Sequence, residues 1–240
     1  MSSTYLRHLP AVLVILLGLF SQSTLANMSL DRMIVYFNPG KTPRQDIVVT
    51  NPDRENLYLQ TEVYKVVNPG TEKEERIRIT DPALLKLLAT PQRAILPPNS
   101  RKTIRLVSLE TPKDKESVYR VTFKPVTGDL QAKQNAIKIL VAYQALVFIR
   151  PNKPEYNVAA QAAKETITFT NSGNINVVLR NGQYCTSGQS ESCTSLATGS
   201  RIYAGESWSM KLPKGALKGK GFIQFGLFDG LNEETRKFPL

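Results

Sequence analysis

The side chains that most often carry catalysis are scarce in this chain. Its one histidine, His8, lies beside an apolar N-terminal stretch. Once that stretch is removed the remainder holds no imidazole, which excludes Ser-His-Asp and Cys-His nucleophile activation, a histidine general base and any zinc site that needs imidazole. Neither G-x-S-x-G nor S-x-x-K occurs, so the two commonest serine nucleophile contexts are missing. Gly215 to Lys220 (GALKGK) approaches a phosphate loop but is one residue short and is followed by Gly221 rather than Ser or Thr, so it reads as a loop. Two carboxylates could converge for hydrolysis, but nothing singles out a pair. No catalytic residue, metal ligand or cofactor is assigned.

Two cysteines, Cys185 and Cys193, are too far apart for a C-x-x-C redox pair. In an exported chain they are expected to form a local disulfide, contributing roughly 2 to 3 kcal/mol; two free thiols are the alternative. Export is read from the N-terminus. Arg7 and His8 form a short basic region, Ala11 to Phe20 an apolar stretch and Thr24-Leu25-Ala26 a small-residue ending. The apolar stretch is too short to span a bilayer, so residues 1–26 read as a cleaved signal and the mature chain starts at Asn27; an uncleaved anchor or buried helix is the alternative. The net charge of +11 raises nucleic acid or acidic lipid as partners. However, the basic residues are dispersed, and the densest group, Lys211, Lys214, Lys218 and Lys220, sits among Gly and Pro without aromatics. It reads as a solvated loop, with neither nucleic-acid binding nor stable membrane insertion expected.

The elements that would position any site are strands. Asn135 to Pro151 (NAIKILVAYQALVFIRP) is the longest strand pattern, with Ile137, Ile139, Val141, Tyr143, Ala145, Val147 and Ile149 on one face and a second face that is also largely apolar. It exceeds the usual strand of about 5 to 6 residues roughly twofold. Either both faces are buried or one is offered to another molecule, because exposed apolar strands are normally avoided. Before it come a strand from Ser29 stopped at Asn38-Pro39-Gly40, then Asp46–Thr50, Leu57–Val67, a short strand at Ile77 and Ile79, one helical turn in Pro82–Leu88, Arg93–Leu96, Lys102–Val107 and Val118–Pro125. Seven or eight short strands in this span predict an antiparallel sandwich. Pro151 and Pro154 mark a boundary. Beyond it Thr166–Thr170, Val177–Asn181, Ser207–Leu212 and Gly221–Phe228 predict a second, smaller β domain, giving an all-β chain divided into 27–150 and 151–240. A single sandwich with a long tail is the alternative.

Four segments then carry a resemblance: Leu30-Asp31-Arg32, PPNSRKTIRL (Pro97 to Leu106), Glu116-Ser117-Val118-Tyr119-Arg120, and the long strand ending Phe148-Ile149-Arg150-Pro151. In this order they resemble the periplasmic pilus-assembly chaperones, strongly to Pro154 and loosely after it. The resemblance implies two immunoglobulin-like β-sandwich domains joined at an angle, no enzymatic activity, and a strand lent to fimbrial (pilin) subunits by donor-strand complementation before delivery to an outer-membrane usher. It puts the subunit-inserting row on Ile137, Ile139 and Val141, and an interdomain brace on Glu116, Arg150 and Asp229. The family's cleft pair of basic residues, which grips the subunit's C-terminal carboxylate, falls on Ile34 and Leu146. Neither can bind an anion, which points to an archaic or alternative branch. Arg120, interrupting an apolar strand expected to pair with the long one, is then the first candidate anchor, with Arg93 and Arg105 behind it. An exported adhesin or pilus component is the alternative reading, and self-association of the free chain through its exposed strand is left open.

Overall fold

The computed structural model describes residues 28–112, 114–126, 140–186, 192–196, 198–218 and 221–240. Its first ten strands are β1 Ser29–Leu30, β2 Ile34–Phe37, β3 Arg44–Thr50, β4 Leu57–Val67, β5 Glu75–Arg78, β6 Leu87–Thr90, β7 Arg93–Leu96, β8 Arg101–Ser108, β9 Ser117–Val126 and β10 Tyr143–Ile149. They form a β1-β3-β8-β6 sheet facing a β2-β10-β9-β4-β5 sheet, with β7 also on β4. Alternation dictates the core between them. On β9, Tyr119, Val121 and Phe123 point inward with Leu57, Leu59 and Val63 of β4 and Ala145, Val147 and Ile149 of β10, and they meet Ile47, Val49, Ile104 and Leu106 of the facing sheet.

Four expectations are corrected. The strand read from Ser29 is two strands in different sheets: β1 pairs with β3, whereas β2 pairs with β10. Asp31 makes the break by bonding Val48 through both its backbone N–H (3.1 Å) and its carboxylate (2.8 Å), which ends the pairing with β3 and frees the chain to cross over. The β2–β10 pair is parallel, so the first sandwich is not purely antiparallel. The long strand is shorter than its pattern: it begins at Tyr143, and residues 127–139 lie outside the described residues. The expected helical turn is present but confined to a 3-10 turn at Pro82–Leu84, and Leu87, read as part of that segment, instead starts β6, whose Leu-Leu-Ala-Thr has no apolar–polar alternation to show a strand.

The remaining strands are β11 Val158–Ala163, β12 Thr166–Asn171, β13 Val177–Thr186, β14 Ser192–Ser195, β15 Ser200–Ile202, β16 Ser207–Lys211, β17 Gly221–Phe228 and β18 Glu233–Pro239. They make a β11-β12-β16 sheet and a β14-β13-β17-β18 sheet with β15 also on β13. Phe169, Phe225 and Phe238 pack edge to face between them, with centroids 5.4 and 5.1 Å from Phe169. Cys185 and Cys193 are cross-strand partners in the β13–β14 hairpin and are joined by a disulfide.

In each sandwich a fully buried asparagine, Asn51 or Asn171, serves the ends of the strands. Asn51 Nδ2 donates to the carbonyls of Glu55, Leu96 and Pro97 at 2.8 to 3.0 Å, and its Oδ1 accepts from Asp53 N. Asn171 Nδ2 donates to Ile175, Ile202 and Tyr203, and its Oδ1 accepts from Asn157 N and Gly173 N. Removing either amide strands several buried carbonyls together, which costs more than one ordinary hydrogen bond. Asn51→Ala is therefore expected to lower the unfolding free energy by about 2 to 4 kcal/mol in urea titration; a loss below about 1 kcal/mol would contradict the assignment.

Candidate functional site

The site is built on β10, whose alternate residues serve different surroundings. Ala145, Val147 and Ile149 fill the first core, while Leu146 and Phe148 look outward. Along its edges, β9 runs antiparallel beside the whole strand, from Tyr143↔Phe123 to Ile149↔Ser117. On the other side, β2 covers only Leu146 to Ile149. Leu146 N donates to Met33 O (2.8 Å) and Arg150 N to Phe37 O (3.0 Å), so even-numbered amides face β2. By the same alternation Gln144 presents its backbone groups to that side, beyond the end of β2. Among the described residues no strand pairs with β10 there. Val141, just ahead of this open edge, is 47% exposed; Ile137 and Ile139 lie outside the described residues.

Across the outer face, side chains fall into transverse rows. Nearest the second sandwich is Val66, Val118, Phe148 and Tyr36, and next to it Tyr64, Arg120, Leu146 and Ile34. Ile34 and Leu146, where the resemblance expects two basic residues, are Cα partners and wholly apolar. Arg120 lies directly across from Leu146. Its Nη2 is 3.6 Å from Glu74 Oε1, and its Nε is buried without a hydrogen-bond partner. The third row holds Glu62, Thr122 and Gln144. Here Glu62 accepts from Gln60 (2.9 Å) and Tyr64 (2.7 Å) and forms an ion pair with Arg78 (3.0 Å), and Gln144 donates to Thr122 Oγ1 (2.9 Å). The other two arginines are elsewhere. Arg93 on β7 pairs with Gln60 at the far edge of β4. Arg105 belongs to the opposite sheet, where its Nε (3.0 Å) and Nη2 (3.1 Å) grip Asp46.

The two sandwiches meet around Phe148. It is fully buried, stacked on Tyr36 (centroids 5.2 Å) and tilted against Tyr203 (6.3 Å), with the Arg201 guanidinium 4.9 Å above it. Arg201 also donates to Tyr36 Oη (3.3 Å) and to Asn176 Oδ1. Glu116 accepts from Asn176 N (2.6 Å) and Nδ2 (2.8 Å). Arg150 lies over Tyr36 (4.8 Å), bonds Asn38 Oδ1 (3.1 Å) and donates to the backbone carbonyl of Asp229. The Asp229 carboxylate instead caps its own turn, accepting from Leu231 N and Asn232 N. Two glycines let rings approach: a Cβ on Gly230 would run into the Tyr36 ring, and one on Gly70 into the Tyr203 ring.

Residues 27–155 match the family model described as pili and flagellar-assembly chaperone, PapD N-terminal domain. The chain belongs to this chaperone family. It is 31% identical over 173 residues to a CFA/I fimbrial subunit of Escherichia coli, covering 67% of this chain and 70% of that one. The crystal structure of the class 5 fimbriae chaperone CfaA superposes with a TM-score of 0.67 at 24% identity over 88% of this chain and 99% of the other. A chain of the chaperone–tip adhesin complex of CFA/I fimbriae biogenesis gives 0.63 at 25% identity, covering 90% and 100%. The fold is thus the two-domain immunoglobulin-like one of the pilus-assembly chaperones.

Sequence reasoning missed most of the chaperone's domain junction. Tyr36, Phe148, Asn176, Arg201 and Tyr203 each occupy an ordinary strand or turn position, and only the spatial meeting of β2, β10, β13 and β15 makes them one cluster. Nothing local signals it. The junction nevertheless titrates. Burial pushes the Glu116 carboxyl up to about 7 from 4.5, against the opposing pull of its two Asn176 bonds, Arg150 and Arg201. The folded chaperone therefore keeps a proton that the unfolded chain releases, and raising the pH through this window favours unfolding. Unfolding free energy is expected to fall by about 3 kcal/mol at most between pH 4.5 and pH 7. Glu116→Gln flattens that slope in thermal melts taken across the window; an unchanged slope would refute the assignment.

Proposed function

We propose that this chaperone acts in the periplasm, non-enzymatically, holding fimbrial subunits by donating a strand and passing them to an outer-membrane usher. Residues 1–26 would be removed on export, leaving an N-terminal domain of 27–150 and a C-terminal domain of 151–240. The observation that carries the reading is the open edge of β10 ahead of Leu146, where β9 is paired and β2 has ended. A subunit strand added there would continue the sheet through main-chain bonds, with alternate side chains filling the subunit's own incomplete core. The inserted row is assigned to Ile137, Ile139 and Val141, in phase with Ala145 and Val147. Burying each such chain is worth about 1.5 to 3 kcal/mol, so the row would dominate capture.

Arg120 is assigned as the anchor for the subunit's C-terminal carboxylate. It is the arginine across from Leu146, at the level where the edge opens, and it retains a donor without a partner. A guanidinium can fix a carboxylate bidentately, and hence fix the register of the inserted strand, since a slip of one residue would present the wrong face. Arg105 is committed to Asp46 in the opposite sheet. Glu116, Arg150 and Asp229 are assigned to holding the two domains at one angle, with Asp229 contributing its carbonyl rather than its carboxylate.

Two variants test these assignments in co-expression with a fimbrial subunit. Val141→Asp is expected to leave circular dichroism and melting unchanged while abolishing the 1:1 soluble complex; an unfolded variant would assign the row to the chaperone's own core. Arg120→Ala is expected to reduce the yield of complex severely, with stability within about 1 kcal/mol of wild type. Wild-type yields would transfer the anchor to Arg93, and recovery of the chain within surface fibres would favour a structural pilus component.

A further inference from the structure

The environment of Arg120 carries an inference that rests on its reading as the carboxylate anchor. A saturated guanidinium–carboxylate pair makes two bonds of about 2.7 to 2.9 Å. Arg120 makes one long contact, Nη2 to Glu74 Oε1 at 3.6 Å, and its Nε is left buried and unpaired. Glu74 cannot close the gap, because other partners hold both of its oxygens. Oε1 accepts from Arg76 Nε (3.2 Å) and Nη2 (3.1 Å), and Oε2 accepts from Gly70 N (3.0 Å). The Gly70 position is itself set by the Tyr203 ring of the second sandwich, which lies where a Cβ would go. The carboxylate is therefore parked near Arg120, close enough to act on its charge and too far to satisfy it.

We propose that Glu74 is a built-in competitor for Arg120, which weakens the grip on a subunit's C-terminal carboxylate and so keeps the captured subunit releasable. An arriving carboxylate would find an unsaturated guanidinium, but it would share that cation with a fixed negative charge. Like charges around one cation subtract from the affinity. Arg76 is the control on this competition, since it pulls Glu74 away from Arg120. The geometry assigns Glu74 and Arg76 as positioning residues of opposite sign, acting on subunit retention through Arg120.

The test measures binding of the peptide acetyl-Val-Thr-Val-Thr-Val to the purified chaperone, as free acid and as C-terminal amide. The acid-to-amide affinity ratio isolates the terminal charge from the rest of the strand. Glu74→Gln retains the acceptor for Gly70 N and is expected to raise this ratio about three- to fivefold. Arg76→Ala releases Glu74 onto Arg120 and is expected to lower the ratio towards one. A ratio that is unchanged or reduced in Glu74→Gln, or raised in Arg76→Ala, overturns the proposal. Arg120→Ala separates the two readings. If it abolishes the acid preference while the Glu74 and Arg76 variants leave the wild-type ratio intact, the anchor stands and only the competitor falls. If it retains the wild-type ratio, the anchor reading fails and the competitor with it.

Discussion

The burial of Phe148 on both of its ring faces is the constraint from which the rest of the architecture follows. Its strand gives Ala145, Val147 and Ile149 to the first core, and the residue between the last two goes to the second sandwich. One seven-residue strand thereby belongs to two packing problems at once. The cover supplied by Tyr203 and Arg201 reaches Phe148 and stops short of Gln144, while β2 stops at Ile34 on the flank. Both protections end within a few residues of each other. The strand is thus protected at its C-terminal end and available at its N-terminal end, a division that the alternation and the position of the second sandwich impose jointly.

The parts of the fold that were legible in the sequence are those where alternation is bounded by strong turn residues. Leu57–Val67, Arg93–Leu96 and Gly221–Phe228 have the limits that the pattern gave them. What was not legible has identifiable causes. β11 is mostly alanine, β14 and β15 are short and polar, and β18 is largely charged, so none shows the contrast of large apolar and polar residues by which a strand is read. The division of Ser29–Phe37 between two sheets depends on Asp31 meeting Val48, a contact seventeen residues away that has no local trace. The position of Arg120 beside β10 followed from the strand order expected of a sandwich, but its incomplete pairing with Glu74 depends on the loop that Tyr203 presses. The resemblance named Glu116, Arg150 and Asp229 at the junction but not the atoms they use; Arg150 reaches a main-chain oxygen of Asp229.

The use of a carbonyl rather than a carboxylate decides what holds the junction. A peptide oxygen does not titrate and cannot be removed by exchanging its side chain, so the Arg150 contact is indifferent to the residue at position 229 except through the turn that Asp229 caps. Sensitivity to rising pH is left to Glu116, on the neighbouring strand entry. The two contacts are therefore functionally separate: one fixes geometry at any pH, and the other responds to protons.

The paired glycine notches have a mechanical meaning of their own. Tyr36 projects from the first sandwich into the notch at Gly230 of the second, and Tyr203 projects from the second into the notch at Gly70 of the first. The two pegs point in opposite directions across the joint and flank the same phenylalanine. A pivot about either one drags the other ring out of its socket, so the joint has two seats and no single axle. The angle between the sandwiches is thus keyed rather than hinged, like two parts dowelled from both sides, and the cleft between them has a preset aperture.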